Sequence, residues 1–272
     1  MSAVSPKAQT TWRRVAGIRT GEEAQIIFFD APGLLSPRDL IQRAMRREAE
    51  ETVKEADCVL LVVDPTQSVS PEERDSMADL LQAAGVPVVA VVNKLDAAEE
   101  GQVAREEEWL AEAFPGAEVV RVSATIGEGL DELLGRLERR IPPGPFLYPA
   151  DDMAIEPVRF FVGELLRETV FELYRDEIPY STACRVEEYR EGGERTYIQA
   201  NLFVERPSQK GIVIGEGGRA IRALGKRARE KIEAFLGEAV YLDLWVKVLP
   251  SWRRRKEQLR RFGFHVPDDE GS

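Results

Sequence analysis

The sequence is poor in cysteine and histidine and has no long hydrophobic run. Its two cysteines, Cys58 and Cys184, stand far apart in apolar, strand-like surroundings, so we expect reduced core thiols and no disulfide framework. The single histidine, His265, has no second histidine or cysteine nearby with which to share a zinc ion. The longest apolar run, Val86 to Val92, is too short to cross a bilayer, and residues 1–7 do not form a signal-peptide core. We therefore expect a cytoplasmic protein without a zinc site.

Positive charge is also in deficit, since the chain has 37 Lys and Arg against 48 Asp and Glu and a net charge of −11. This acidity argues against a nucleic-acid partner for the chain as a whole. The stretch from Arg206 to Arg261 is different, because its 15 basic and 6 acidic side chains give a local net charge of +9. The local field decides where a polyanion binds. A length of 272 residues suits two domains that each bury a core.

In the first half, short apolar runs alternate with helical patterns. Two strand-like runs at 12–19 and 24–29 flank a turn and predict a hairpin. Further strands are predicted at 58–63, 86–92 and 119–122, and helices at about 38–56, 71–84, 102–114 and 128–140. This alternation predicts an α/β domain with a doubly wound, mostly parallel sheet covered by helices on both faces. Ligands bind such sheets beyond the carboxyl ends of the strands.

Three short motifs stand at those strand ends. They are Asp30-Ala31-Pro32-Gly33, Asn93-Lys94-Leu95-Asp96 and Ser123-Ala124. The Asp96 carboxylate can accept the ring and exocyclic N–H groups of guanine, whereas adenine would leave it unpaired. The stem of Lys94 can lie along the base, and the backbone at Ser123-Ala124 can meet a purine oxygen. Their order along the chain resembles a translation-factor-type GTPase domain.

The second half begins after Ile141 to Pro145, a segment that cannot continue a helix. An apolar stripe at helical spacing, most simply a core face, follows. It comprises Phe160, Phe161, Leu165, Leu166, Val170, Phe171 and Tyr174. Strands are predicted at 180–189, 195–204 and 239–248. Residues 252–256, Trp-Arg-Arg-Arg-Lys, are either further phosphate contacts or a solvated terminus.

A glycine turn, Gly215-Glu216-Gly217-Gly218, separates the last two predicted helices of this half. The Gly-x-x-Gly pattern alone occurs about once by chance in a chain of this length. Here, however, Ile212, Ile214 and Ile221 bracket the turn, and a basic helix follows it. The order helix, strand, strand, helix, turn, helix, strand resembles a type II KH domain, whose glycine loop clamps about four nucleotides of single-stranded nucleic acid. The competing interpretation of the basic helix is a solvated helix face. The predicted RNA contacts are Ile212, Ile214, Gly215, Glu216, Gly217, Gly218, Arg219, Arg222 and Lys226.

From about residue 4 to 264, the chain resembles the Era family of bacterial GTPases. Residues 5–11, 205–210 and 241–244 carry the resemblance outside the motifs above. It implies a GTPase domain of the P-loop NTPase type at 1–142, a linker at 143–156, a type II KH domain at 157–250, and a basic helix and polar tail at 251–272.

The resemblance also implies GTP or GDP and Mg²⁺ as cofactors. Thr11, in preference to Thr10, would close on Mg²⁺ and the γ-phosphate, Asp30 would hold Mg²⁺ through water, and the Gly33 N–H would sense the γ-phosphate. The implied nucleotide contacts are Thr10, Thr11, Asp30, Ala31, Pro32, Gly33, Asn93, Lys94, Asp96, Ser123 and Ala124, with Thr11 and Asp30 at the metal.

Some positions depart from related patterns. The family pattern has threonine at Ala31 and arginine at Trp12. Leu34 is apolar, as in the family, where Ras-like GTPases carry the glutamine that orients the attacking water, so no catalytic residue is assigned. The phosphate-loop motif Gly-x-x-x-x-Gly-Lys-Ser/Thr is absent from the sequence. Two hypotheses follow: the chain begins inside a longer protein, or it is a pseudo-GTPase whose RNA-binding half alone functions. We favour the first, because the base-reading and switch residues are retained.

The implied partners are the 3′ end of 16S rRNA and the 30S ribosomal subunit, with a weak peripheral association at the inner face of the membrane and no DNA. The function expected from the resemblance is a GTPase that assists 30S assembly. The alternative is a non-hydrolysing KH-domain RNA-binding protein with a degenerate GTPase domain.

Overall fold

The computed structural model describes residues 11–33, 37 and 39–266. It begins with an antiparallel hairpin formed by β1 (Val15–Thr20) and β2 (Gln25–Asp30), in which Val15 lies opposite Asp30. The turn is closed by the Gly21 N–H, which donates to the Ala24 carbonyl at 2.8 Å. The predicted hairpin is confirmed, and it brings Asp30 to the end of a strand.

Three parallel strands follow in the order β3 (Val59–Val63), β4 (Val88–Val92) and β5 (Glu118–Arg121). The central strand β4 is buried from Val89 to Val92, as expected for a parallel strand covered on both faces. The helices between and beside these strands are α1 (Leu40–Glu55), α2 (Pro71–Ala84), α3 (Glu100–Ala113) and α4 (Leu130–Glu138). The predicted α/β alternation is confirmed.

The sheet of this first half is in two hydrogen-bonded pieces. Among the described residues β2 and β3 do not pair, and the hairpin and the parallel strands form separate sheets. Ile26 of β2 nevertheless packs in one core cluster with Val89, Val91 and Val120 of the parallel strands. A shared apolar core therefore holds the two pieces together where no backbone ladder does.

The second half is built on a three-stranded sheet. Its strands are β6 (Ala183–Arg190), β7 (Thr196–Val204) and β8 (Val240–Val248), with β6 antiparallel and β8 parallel to the central β7. The helices are α5 (Val158–Leu173), α6 (Ile178–Ser181), α7 (Pro207–Ile214) and α8 (Arg219–Leu236).

One predicted boundary in this half is wrong. The strand expected from residue 180 begins at Ala183, because Ile178–Ser181 form a helical turn. The Ser181 and Thr182 hydroxyls both donate to the Ile178 carbonyl and close that turn. The predicted apolar stripe of α5 is confirmed, since Phe161, Leu166, Val170 and Phe171 are buried. None of the helices in the described ranges is both long and apolar enough to span a bilayer.

The C-terminal segment joins the two halves. It comprises a 3₁₀ turn (Trp252–Arg254) and α9 (Lys256–Arg261). Trp252 is fully buried in a cluster with Leu40 and Met45 of α1 and Phe203 of β7. Arg253 forms an ion pair with Asp39, the N-cap of α1, at 2.7 Å. At Trp252 and Arg253, both expectations for residues 252–256, phosphate contact and solvated terminus, are wrong. The indole packs on an apolar face of α1, and the guanidinium pairs with Asp39.

Residues between the halves lie along the hairpin. The Ile18 N–H donates to the Met153 carbonyl at 2.9 Å, and the Ala16 N–H donates to Glu156 Oε1 at 3.0 Å. Gln25 Nε2 donates to the Tyr148 carbonyl at 2.9 Å. The connection is therefore held against the outer edge of β1, which fixes where the second half begins.

We expect Trp252→Ala to lower the free energy of unfolding by about 3–5 kcal/mol, because it empties a fully buried aromatic site. Urea denaturation followed by circular dichroism measures this change. Arg254→Ala, an exposed position in the same turn, is the control and should shift stability by less than about 0.5 kcal/mol. Equal effects of the two variants would show that Trp252 does not hold the joint.

Candidate nucleotide edge and nucleic-acid interface

The first candidate site begins where β2 ends. The Thr11 hydroxyl donates to Asp30 Oδ2 at 3.1 Å, so the two residues predicted to hold Mg²⁺ lie together. Among the residues after Asp30, Ala31 is partly buried, Pro32 is buried and Gly33 is exposed. Thr10 lies outside the described residues. Two adjacent oxygen donors match the Mg²⁺ ion, which proteins bind through one or two side chains plus substrate phosphates.

Asn93 ties two strand ends together. Its backbone N–H donates to the Val63 carbonyl at 2.9 Å, which continues the β3–β4 ladder by one residue. Its side-chain Oδ1 accepts from the Lys94 N–H at 2.8 Å and from the Ala124 N–H at 3.0 Å. Asn93 thus positions the loops after β4 and β5 relative to one another. The Ala124 N–H predicted to meet a purine oxygen is engaged by Asn93 in this structure.

Asp96 and Ser123 also meet across these two loops. The buried Ser123 hydroxyl donates to Asp96 Oδ1, while Asp96 itself is exposed. Within the part of the chain that the structure describes, no group donates to Asp96 Oδ2. A carboxylate held by one oxygen keeps acceptor capacity for two parallel N–H donors of a ligand. This is the hydrogen-bonding pattern that guanine requires.

Lys94 is constrained in both backbone and side chain. Its φ of 64° lies in the left-handed region that non-glycine residues rarely adopt. Its Nζ lies 2.7 Å from Asp64 Oδ2. Partial burial raises the pKa of Asp64, but hydrogen bonds from Lys94 and Thr66 outweigh this effect and hold the pKa below its ordinary value. Asp64 was missed in the sequence analysis, although its position directly after β3 was a signal that could have identified it.

The loop after β5 depends on one glycine. Gly129 has a φ of 77°, and a Cβ there would lie 2.2 Å from the Arg121 carbonyl oxygen. The loop is closed by the Ser123 N–H, which donates to the Glu128 carbonyl at 3.0 Å. A side chain at residue 129 would therefore displace the segment that presents Ser123 and Ala124.

The second candidate site is the predicted glycine loop between α7 and α8. Gly215, Gly217 and Gly218 have φ values of 68°, 59° and 76°, and the Gly218 N–H donates to the Gly215 carbonyl at 3.1 Å. A Cβ on Gly215 would lie 2.7 Å from the Ala220 Cβ. The turn therefore needs glycine for its conformation, and it exposes backbone to an approaching chain.

The helix before the loop, α7, is anchored to the core through Val213. Val213 is fully buried, and its carbonyl accepts from the Tyr174 hydroxyl at 2.9 Å. Ile212, one of the isoleucines that bracket the turn, is 52% exposed. Because α7 continues to Ile214, its helical phase turns residue 213 inward and residue 212 outward. Ile212 is thus available to a ligand, together with the partly exposed Ile214.

The basic side chains of α8 divide into two groups. Arg227, Arg229 and Lys231 are neutralised by glutamates of α5 and α8. Nearer the loop, Arg219 pairs with the exposed Glu216, and Arg222 donates to the Gly217 carbonyl at 2.7 Å. Lys226 is exposed and has no partner among the described residues. Free positive charge is therefore concentrated beside the glycine loop, as a phosphate-binding surface requires.

Comparisons with known proteins give matches to both halves of the chain. Residues 1–94 match the family described as 50S ribosome-binding GTPase, and residues 177–253 match the KH domain family. GTPase Era of Lacticaseibacillus paracasei is 38% identical over 270 residues, which cover 98% of this chain and 89% of that relative.

Two solved structures match nearly the whole chain. A variant of Aquifex aeolicus Era bound to GDP and AlF₄⁻ superposes with a TM-score of 0.91 and 36% identity, covering 97% of this chain and 91% of that one. Era in complex with MgGDPNP and nucleotides 1506–1542 of 16S ribosomal RNA gives the same TM-score of 0.91 and 36% identity, covering 97% and 90%.

We expect Gly215→Ala to cost about 1–3 kcal/mol of stability, because alanine would be strained at this φ and would collide with Ala220. Gly211→Ala is the matched control, since that helical glycine has nothing within 4 Å of its added Cβ. Thermal unfolding of both variants measures the difference. A Gly215→Ala protein as stable as the control would contradict the geometry assigned to the loop.

Proposed function

Because the chain belongs to the Era family of GTPases, we propose that it is a guanine-nucleotide-dependent RNA-binding factor that binds the 3′ end of 16S rRNA and assists assembly of the 30S subunit. The observation that supports this most directly is that one chain carries both candidate sites, the one for the nucleotide and the one for RNA. The hydrogen bonds of Asn93 and Asp96 assemble the base-reading edge, and the charge beside Gly215–Gly218 suits RNA. The match over 98% of the chain extends the proposal to both domains.

We propose that Asp96 reads guanine with both carboxylate oxygens, since Oδ2 is open to a ligand and Oδ1 keeps one lone pair beside its bond from Ser123. The base donates two N–H groups on one edge, and a carboxylate accepts both, whereas the adenine edge would leave it unpaired. Asn93 positions this carboxylate indirectly by holding the two loops together. The ion pair between Lys94 and Asp64 would hold the lysine stem beside the bound base.

At the phosphate end of the proposed nucleotide site, residues for the metal ion are present, whereas the phosphate-loop motif is not found. Thr11 and Asp30 fit a Mg²⁺ ion, which would neutralise charge on the bound phosphates. Gly33 follows Asp30 by three residues and is exposed, so its N–H would be available to a γ-phosphate. The phosphate-loop motif is not found in the 272 residues, and we assign no hydrolytic step to a residue of this chain. GTP hydrolysis is the activity of the family.

RNA binding is proposed at the glycine loop. The loop would clamp about four nucleotides against backbone, with Arg219, Arg222 and Lys226 toward the phosphates and Ile212 and Ile214 toward the bases. Nucleotide control is supported by the joint at Trp252, since α1 follows the Gly33 segment and packs directly on the C-terminal segment of the RNA-binding half. A shift of α1 on GTP binding would therefore reach the KH domain through packed side chains.

The second candidate function is a non-hydrolysing KH-domain RNA-binding protein with a degenerate GTPase domain, which the missing phosphate-loop motif favours. Both functions place the protein in the cytoplasm with its RNA. A weak peripheral contact with the inner face of the membrane and the absence of a DNA partner stay predictions. Thermal-shift measurements separate the two functions, because a nucleotide that binds only the folded state raises the melting temperature. Stabilisation by GTP with Mg²⁺, and not by ATP, supports the GTPase.

We expect Asp96→Asn to weaken binding of fluorescent GDP by about tenfold to a hundredfold, because a charged hydrogen-bond acceptor is lost. The same change should improve binding of xanthosine diphosphate, whose second-position carbonyl accepts from an amide. Competition titrations in Mg²⁺ measure both, with Asp79→Asn on the exposed side of α2 as control. An unchanged preference for guanine would refute the role of Asp96, and no binding of GDP by the parent chain would favour the second function.

We expect Lys226→Ala to weaken RNA binding several-fold and to reduce the salt dependence of the affinity by about one ion, as for a lost phosphate contact. Arg229→Ala is the matched control on the same helix, because Arg229 is already paired with Glu233. Fluorescence anisotropy with an RNA of the 16S 3′-end sequence at several salt concentrations measures the slopes. Equal slopes in the two variants would place the RNA away from this end of α8.

A further inference from the structure

A row of fixed aromatic rings crosses the outward face of the KH sheet. Tyr197 of β7 and Tyr241 of β8 are paired in register, and their rings stack at 5.8 Å with an interplanar angle of 12°. From the other side, the Arg190 guanidinium of β6 lies 4.5 Å over the Tyr197 ring. Trp245 extends the row along β8. We call these four residues the aromatic row.

The rings are held in place by hydrogen bonds within the sheet. Asp243 lies between them on β8 and accepts from the Tyr197 hydroxyl at 3.3 Å and from Trp245 Nε1 at 3.0 Å. The polar tips of both side chains are thereby satisfied inside the protein. Arg190 and Tyr241 cover the Tyr197 ring, so the free ring surface belongs to Tyr241 and Trp245. The hydrogen bond of Trp245 to Asp243 leaves that side chain little conformational entropy to lose on binding.

This row is not part of a core. Tyr241 is 58% exposed and Trp245 54% exposed. The opposite face of the sheet, with Ile198, Ala200 and Val240, is the face that packs on α5 and α8. The outward face is covered around Phe203 by the C-terminal segment, and the aromatic row lies outside that cover. Tyr241 and Trp245 therefore form an aromatic patch with Tyr197 on the outward face, and exposed apolar patches mark interaction sites.

We propose that the aromatic row is a second RNA-binding surface, which stacks unpaired bases that lie beyond the glycine loop. This inference rests on the proposed RNA-binding function. Exposed aromatic faces beside an arginine plane are the chemistry by which sheets bind single-stranded RNA, with little dependence on sequence. Lys247, exposed on the same strand and without a partner among the described residues, supplies a phosphate contact.

Two further observations favour RNA as the occupant. The aromatic row lies partly on the edge strand β8, and α7, which leads into the glycine loop, packs against the opposite face of that strand, so an RNA chain leaving the loop reaches the rings by passing around this edge. The loop clamps only about four nucleotides, whereas the RNA in the related complex runs from nucleotide 1506 to 1542. A ligand of that length extends well beyond the loop.

The test uses the full chain with Tyr241→Leu and Trp245→Leu together, which keeps apolar bulk but removes the ring faces. Phe146→Ala, an exposed aromatic position outside the KH sheet, is the control. Anisotropy is measured with uridine oligomers of about five and about 20 nucleotides, the longer of which spans more than one single-strand site. Should the double variant be poorly folded by circular dichroism, the single Trp245→Leu variant replaces it.

We expect the double variant to lose about tenfold or more in affinity for the long oligomer and to bind the short one within twofold of the parent. Ultraviolet crosslinking of the long oligomer should label the peptide that contains residues 241–245 in the parent. Unchanged affinity for the long oligomer without that crosslink would overturn the proposal. If RNA binding is unchanged but sedimentation with 30S subunits is lost, the occupant is a protein and the RNA proposal is wrong.

Gly218→Asp distinguishes failure of this inference from failure of the proposed function. It places a carboxylate in the glycine loop and should abolish binding of the short oligomer. If it does not, RNA binding at the loop is refuted. Crosslinking of the long oligomer to residues 241–245 in that same variant would then still report on the aromatic row independently.

Discussion

The burial of Trp252 against α1 is the contact on which the arrangement of the two halves depends. Its indole is enclosed by Leu40 and Met45 from one half and Phe203 from the other. The indole N–H is satisfied by the Ser181 carbonyl at 3.1 Å, so the ring is buried without an unpaired donor. Full burial of an aromatic ring of this size contributes several kcal/mol, far more than a surface ion pair. The Arg253–Asp39 pair beside it mainly fixes orientation.

The same joint includes the residue next to the proposed switch threonine. Trp12 follows Thr11 and lies 5.8 Å from Trp252 and 6.0 Å from Phe264, measured between ring centroids. The Arg167 guanidinium of α5 lies over the Trp12 ring, 4.9 Å from its centroid. The segments before and after the hairpin therefore both end on one aromatic cluster. In the proposed function, these packed side chains would connect the nucleotide site with the RNA site.

The acidic net charge and the proposed RNA partner are compatible because charge is unevenly distributed and partly neutralised. Glutamates of α5 and α8 neutralise Arg227, Arg229 and Lys231 along the middle of α8. Positive charge near the glycine loop is left to Lys226 and to two arginines whose partners are exposed. Exposed pairs are weak in water and exchange readily for phosphate, so they do not prevent binding.

Local sequence patterns determined the elements and the motifs. The hairpin, α2, the apolar stripe of α5 and the glycine turn were all predictable, because each depends on residues within one or two turns of chain. The position of Asp30, Asn93, Asp96 and Ser123 at strand ends followed from the same patterns. That much of the candidate site required no tertiary information.

Only the tertiary structure decided which distant side chains meet. Trp252 packs on residues of α1, and Arg253 pairs with Asp39, although roughly two hundred residues separate the partners in sequence. The Lys94–Asp64 and Asn93–Ala124 contacts join the loops after different strands. The exposure of Tyr241 and Trp245 depends on which part of the sheet the C-terminal segment covers. Periodicity shows which face of an element is apolar, but the choice of partner comes from shape and hydrogen bonding between elements that are remote in sequence.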